Sequence, residues 1–183
     1  MIPANFIQQV ENNLPLITDT GVVPEGFHKV SIGSEVGPDW EHLTYWPNLG
    51  KFEKNRVVAI SVSKEIATFD TLNDFMELAY SRLTHMGMMF VTAPYWSSSD
   101  WVNDPRNINR INEYMFGYYS KDWRISRNIE WRGTNIDFEL VGLKWTFYPE
   151  WETRSDEAKK WAKEHYLNVI QHLHFVLRAL KEQ

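Results

Sequence analysis

The chain has 183 residues, 19 Lys and Arg against 24 Asp and Glu for a net charge of −5, no Cys, and aromatic residues at 15%. That length suits one domain with a sizeable core, and the lack of Cys excludes disulfides, thiolate metal sites and cysteine nucleophiles. No apolar run approaches the ~18 residues of a membrane helix, and Met1-Ile2-Pro3-Ala4-Asn5 lacks the basic-then-apolar pattern of a secretory leader, so a cytoplasmic setting is expected.

Residues 3–14 predict a short helix, with Pro3 at its first turn and Phe6, Ile7, Val10 and Leu14 at helical spacing. Residues 15–50 hold most of the glycines and prolines of the first half, and only Phe27–Ile32 reads there as a strand, ended by Gly33. Val57–Ser63 is rich in β-branched residues and predicts a strand. Asp70 or Thr71 then caps a helix carrying Leu72, Phe75, Met76, Ala79, Leu83 and Met86 on one face. Gly87 ends that helix and Met88–Ala93 follows as a strand, completing a β-α-β unit that is parallel if both strands share a sheet. Asp104-Pro105 predicts the start of another helix, with Ile108, Ile111 and Met115 inward.

The alternation of Ile125, Ile129 and Trp131, then of Ile136, Phe138 and Leu140, predicts a hairpin over 125–147 that turns at Gly133-Thr134. In that register Glu130 faces Asp137, with Glu139 further along the same face. Past Leu140 the apolar parity flips, which predicts a β-bulge at Val141-Gly142. Thr153 or Ser155 caps a long helix to about residue 181, with Ala158, Ala162, Tyr166, Val169, Leu173, Val176 and Leu180 as its stripe. The fold class expected is therefore α+β: a single domain, residues 1–183, with a mixed sheet of four to five strands, packed helices and a long C-terminal helix. Within it, 1–56 is a loop-rich acidic part and 57–183 the sheet-and-helix core.

Few residues carry a chemical signature. His172 and His174 would share a metal on a strand, but on a helix they diverge, and no His-Glu-x-x-His run exists; neither a metal nor a cofactor is expected. His42-Leu43-Thr44 resembles one half of the paired His-x-Thr signature of two-histidine phosphoesterases, and no second His-x-Ser or His-x-Thr completes it. Phosphate-cradling glycine loops are absent, and Ser97-Ser98-Ser99 lacks the glycines of a hydrolase elbow. Residues 106–132 interleave Arg106, Arg110, Lys121, Arg124, Arg127 and Arg132 with Tyr114, Phe116, Tyr118, Tyr119, Trp123 and Trp131, a mixture that single-stranded nucleic acid favours, although Glu113, Asp122 and Glu130 dilute its charge.

Residues 1–50 carry one base, Lys29, against six acids. This makes duplex nucleic acid a poor partner, because its affinity rests on neutralised phosphates, and it favours a basic protein. Like charges across a hairpin are also unfavourable unless answered. The function expected is thus a non-enzymatic module of inhibitor or immunity type, masking a basic partner. Its binding residues would be Glu35, Asp39, Glu41, Glu130, Asp137 and Glu139, with Trp96, Trp101 and Trp151 as anchors. The alternatives are a small hydrolytic enzyme whose site shows no motif, and a structural subunit of a larger, viral assembly.

Overall fold

A computed structural model of the protein describes residues 25–33, 37–130 and 135–182. In chain order its elements are β1 (His28–Ile32), β2 (Glu41–Leu43), β3 (Val57–Val62), α1 (Leu72–Arg82), β4 (Leu83–Pro94), α2 (Ser99–Val102), α3 (Lys121–Ser126), β5 (Phe138–Phe147), α4 (Pro149–Glu152), α5 (Asp156–His165) and β6 (Ile170–Ala179). Short 3-10 turns lie at Trp46–Lys51, Lys64–Thr68 and Met115–Tyr119.

The six strands form one sheet in the order β2-β1-β3-β4-β6-β5. The first four run parallel, and β6 enters antiparallel between β4 and β5. Strands buried on both faces read as continuous apolar runs, and Val57–Val62 and Met88–Ala93 are such runs. Their odd and even residues separate cleanly. Val30, Ile32, Ile60, Val62, Met89, Val91, Leu173, Phe175 and Leu177 join the main core beneath α1, whose Leu72, Phe75, Met76 and Ala79 face them. Ala59, Phe90 and Val176 form a second, smaller cluster with Trp40, Met88 and Val141.

The expected fold class is corrected by this topology. Among the described residues the chain forms an open, mostly parallel α/β sheet, with six strands rather than four or five, and no long C-terminal helix. The helix capped at Ser155, which accepts a hydrogen bond from the Ala158 amide, stops at His165. Asn168 then takes a positive φ of 56° and the chain returns as β6. Leu173, Phe175, Leu177 and Ala179 against His172, His174, Val176 and Arg178 is a period-two pattern. Val169, Leu173, Val176 and Leu180 satisfy helical spacing as well, which is why periodicity alone misleads here.

The hairpin over 125–147 is also corrected. Ile125 and Ser126 end the helix α3, residues 127–130 form no strand, and β5 pairs with β6 instead. The turn at Gly133-Thr134 lies outside the described residues, and Glu130 is not held opposite Asp137 by any ladder. The bulge past Leu140 is present, as a register shift between Leu140 and Gly142. The β-α-β unit is present too, with β3 and β4 parallel neighbours. Its helix ends at Arg82, earlier than Gly87, because β4 begins at Leu83 opposite Val57 and the ladder resumes only at Ala59 opposite Met88. Residues 104–114 form no helix, despite Asp104-Pro105. The predicted helix over 3–14 lies outside the described residues.

Candidate functional site at the carboxyl edge of the sheet

Open α/β sheets bind ligands outside the carboxyl ends of their parallel strands, where the strand order reverses direction. Here that point lies between β1 and β3: the chain leaves β1 for β2 on one side and returns as β3 on the other, with Ile32 opposite Val62. Gly33, just past β1, has φ 88°. A side chain there would overlap the Glu65 carboxylate and the Ser63 hydroxyl. Ser63 Oγ in turn donates to Glu65 Oε2. The backbone donors of the crevice are already engaged, Gly33 N–H with Leu43 C=O at 3.4 Å and Ser63 N–H with Ile32 C=O at 3.2 Å. Among the described residues the switch point therefore offers a carboxylate, with the Gly33 and Ser63 amides already engaged. That chemistry suits hydroxyl groups and a positive centre, and it does not suit a phosphate.

Beside it, the end of β4 and the start of β6 meet at Pro94 opposite His172. Asp100, on α2, accepts from Gln171 Nε2 at 3.1 Å, and its Oδ2 lies 3.2 Å from His172 Nε2. That approach is an ion-pair contact out of line for a hydrogen bond, since Nε2 is buried without an aligned partner. The loop carrying Asp100 is fixed. Ser98, fully buried, caps α2 by accepting from the Trp101 amide; Trp101 Nε1 donates to Asn109 C=O at 2.8 Å; and Asn109 Nδ2 donates to Phe69 C=O at 2.7 Å. Burial lowers the His172 pKa first, and the Lys64 charge lowers it further against the opposing pull of Asp100. The ring is thus neutral at neutral pH, beside a carboxylate that would stabilise its protonated form. Nε2 is turned to Asp100, so Nδ1 is the nitrogen left to take a proton.

His174, one step inward on the same face, is saturated: its Nδ1 lies 3.1 Å from Thr92 Oγ1 and its Nε2 2.8 Å from Thr146 Oγ1. Although β6 brings His172 and His174 to one face, both nitrogens of the second ring are spent. Among the described residues no group of three or more candidate ligands gathers to hold a metal.

The residues singled out from sequence do not converge. Glu35 lies outside the described residues, and Asp39 and Glu130 are exposed. Glu41 is bound by His28 at 2.5 Å and Lys51 at 3.4 Å. Asp137 accepts from the Lys121 amide at 2.7 Å, and Glu139 pairs with Arg178 at 2.5 Å. Trp101 is a structural tie, Trp151 packs with its ring centroid 6.2 Å from that of Tyr166, and Trp96 is exposed. Three of the acids are thus answered by this chain itself. The structure brings together Ser63 with Glu65 and, farther along the same edge, Asp100 with His172, and neither pair has a motif. Only the topology joins them, with Gly33 ending a strand as the one local signal.

Neither a family model nor a curated protein matches the sequence. Solved structures do. A SAM-dependent methyltransferase from Archaeoglobus fulgidus is 13% identical at a TM-score of 0.49, over 76% of this chain and 67% of that one. An S-adenosylmethionine-dependent methyltransferase from Mesorhizobium loti is 12% identical at 0.42, over 93% and 96%. A geranyl diphosphate C-methyltransferase from Streptomyces coelicolor is 13% identical at 0.46, over 78% and 54%. Against these similar structures, and with Glu41, Asp137 and Glu139 answered within the chain, the expectation of a non-enzymatic inhibitor- or immunity-type module is withdrawn.

Proposed function

We propose that the chain is a group-transfer enzyme domain that works at the carboxyl edge of its sheet, with S-adenosylmethionine as the donor to be tested first. The carrying observation is that one edge holds a carboxylate at the switch point and a neutral imidazole backed by a second carboxylate. Glu65 follows β3 and His172 lies near the start of β6, so both groups lie along the same edge of the sheet.

Glu65 would hold the donor by accepting from its ribose hydroxyls, and the carboxylate suits a sulfonium charge. When bound, such a donor supplies an electrophilic methyl group. The chain's own part is to prepare the acceptor. His172 Nδ1 takes the proton of an acceptor hydroxyl or amine as that atom's lone pair forms its new bond, and Asp100 stabilises the imidazolium that results. Asn109 and Trp101 keep Asp100 at the distance this needs.

Calorimetry with S-adenosylhomocysteine tests the reading. The wild-type chain is expected to bind it, Glu65→Gln to bind at least about tenfold more weakly, and His172→Gln to bind like wild type. No binding to wild-type protein at millimolar ligand, or equal binding by Glu65→Gln, overturns it.

A further inference from the structure

Past Ile111, whose carbonyl accepts from the Trp96 amide at 3.1 Å, the residues Asn112, Tyr114, Met115, Tyr118, Trp123 and Arg127 line a cavity of about 640 Å³. Its walls are rings: Tyr118 and Trp123 lie with centroids 4.8 Å apart, and Tyr114 and Tyr118 are 46% and 44% exposed. Apolar rings left in water at this density cost free energy unless something covers them.

The rings are held in place before any ligand arrives. Gly117 lacks a side chain, and a Cβ there would come within 2.8 Å of the Trp123 indole, so the indole lies directly on the backbone. The Trp123 amide donates to Ser120 Oγ at 3.4 Å, which fixes the first turn of α3. Arg124 is buried beneath the slot and donates to the carbonyls of Tyr118 at 2.8 Å and Ile136 at 3.0 Å, so the segments on either side cannot drift apart.

Arg127 differs from Arg124. Its guanidinium rides 4.6 Å from the centre of the Trp123 ring, it is exposed, and among the described residues no carboxylate forms an ion pair with it. Asn112 accepts the Tyr114 amide through Oδ1 at 2.9 Å, leaving its Nδ2 as a donor toward the same slot. The cavity thus combines stacking faces, one unneutralised cation and one amide donor. A planar ring bearing an anionic group satisfies all three at once: the ring stacks on Tyr118 and Tyr114, and the anion meets Arg127.

We infer that this slot binds the base and phosphate of a nucleotide, either free or within a single strand. Its lining includes none of Ser63, Glu65, Asp100 and His172, so Glu65→Gln should leave it untouched whether or not the group-transfer reading holds.

The test is an NMR titration of the full chain with adenosine 5′-monophosphate, adenosine, inorganic phosphate and a ten-nucleotide oligoadenylate, following the indole N–H of Trp123. Adenosine 5′-monophosphate is expected to shift that signal at millimolar concentration or below. Adenosine and phosphate alone should each bind at least about tenfold more weakly. Arg127→Glu, an exposed change that leaves the packing on Gly117 intact, should abolish the effect, and Tyr118→Leu should weaken it about tenfold. Tighter binding of the oligonucleotide than of the monophosphate identifies a strand as the source, and equal or weaker binding a free nucleotide. The inference is overturned if neither nucleotide shifts Trp123, if phosphate binds as well as the nucleotide, or if Arg127→Glu changes nothing.

Discussion

At the scale of single residues, Gly33 and the two histidines of β6 carry the most information. Gly33 is strained for any other residue on two counts, a φ of 88° and the Glu65 carboxylate lying where a Cβ would go. Gly33→Ala should therefore cost about 2 kcal/mol or more, read as a lower denaturation midpoint at unchanged m value. His172 and His174 both have pKa values lowered by burial, with repulsion from Lys64 added for the first and from His172 and Lys144 for the second. The unfolded chain, with histidines near ~6.5, then binds more protons than the folded one. Stability is fully present above about pH 6.5 and falls as pH drops through that value toward the lower folded values. Melting temperature is expected to decline from about pH 7.5 to pH 5.5. In His174→Gln, which keeps a donor and an acceptor for the two threonines, that decline should be shallower; an unchanged slope would show that His174 titrates normally. Neither role was visible in the sequence. A histidine's partners come from strands β4 and β5, some 80 and 30 residues away in the chain, and no local pattern records them.

At the scale of elements, the passage from α5 to β6 decides the fold. Asn168 turns the chain at positive φ, its N–H donates to Ser97 C=O at 3.2 Å, and its Oδ1 accepts from Ser99 Oγ at 2.9 Å. Asn tolerates that conformation where a β-branched residue does not. Asn168→Val should cost about 2 kcal/mol or more, whereas Asn168→Gly should lose less because it removes only the hydrogen bond to Ser99. Equal losses would show that the side-chain bond, not the backbone, governs this turn. The sequence held both signals needed here, Asn168 between the helical segment and Val169, and an alternating run after it. The helical stripe through Val169, Leu173 and Val176 outweighed them, because a ten-residue apolar segment satisfies both periods when its odd positions are buried in a core and its even ones line a sheet face.

At the scale of the molecule, the sheet is unequally tied. β6 lies between β4 and β5 with seven and nine register pairs, while β2 joins β1 through three. Local opening follows such differences. Amide exchange should be slowest at Leu173–Leu177 and the facing Met89–Ala93, and fastest in β2. Phe175, 1% exposed with its ring centroid 4.6 Å from that of Phe116, anchors this half. Phe175→Ala should cost about 3–5 kcal/mol and erase the protection of β4 and β6 together. Loss confined to β6 would mean the strands open independently. Among the described residues, no helix is long and apolar enough to cross a membrane.

By itself the sequence determined that this chain folds around an apolar core without disulfides, that 57–93 is a β-α-β unit, parallel once its strands share a sheet, and that a bulge follows Leu140. Each of these is written in neighbouring residues: β-branched runs, a helical stripe, a parity flip. The tertiary structure alone decided that the C-terminal segment is a strand, that it inserts antiparallel between β4 and β5, and that Glu65, Asp100 and His172 lie along one edge. The physical reason is that a strand acquires its hydrogen bonds, and a site its geometry, from partners far away in the chain. Which partners those are is settled by the burial of both sheet faces together, not by any segment's own pattern.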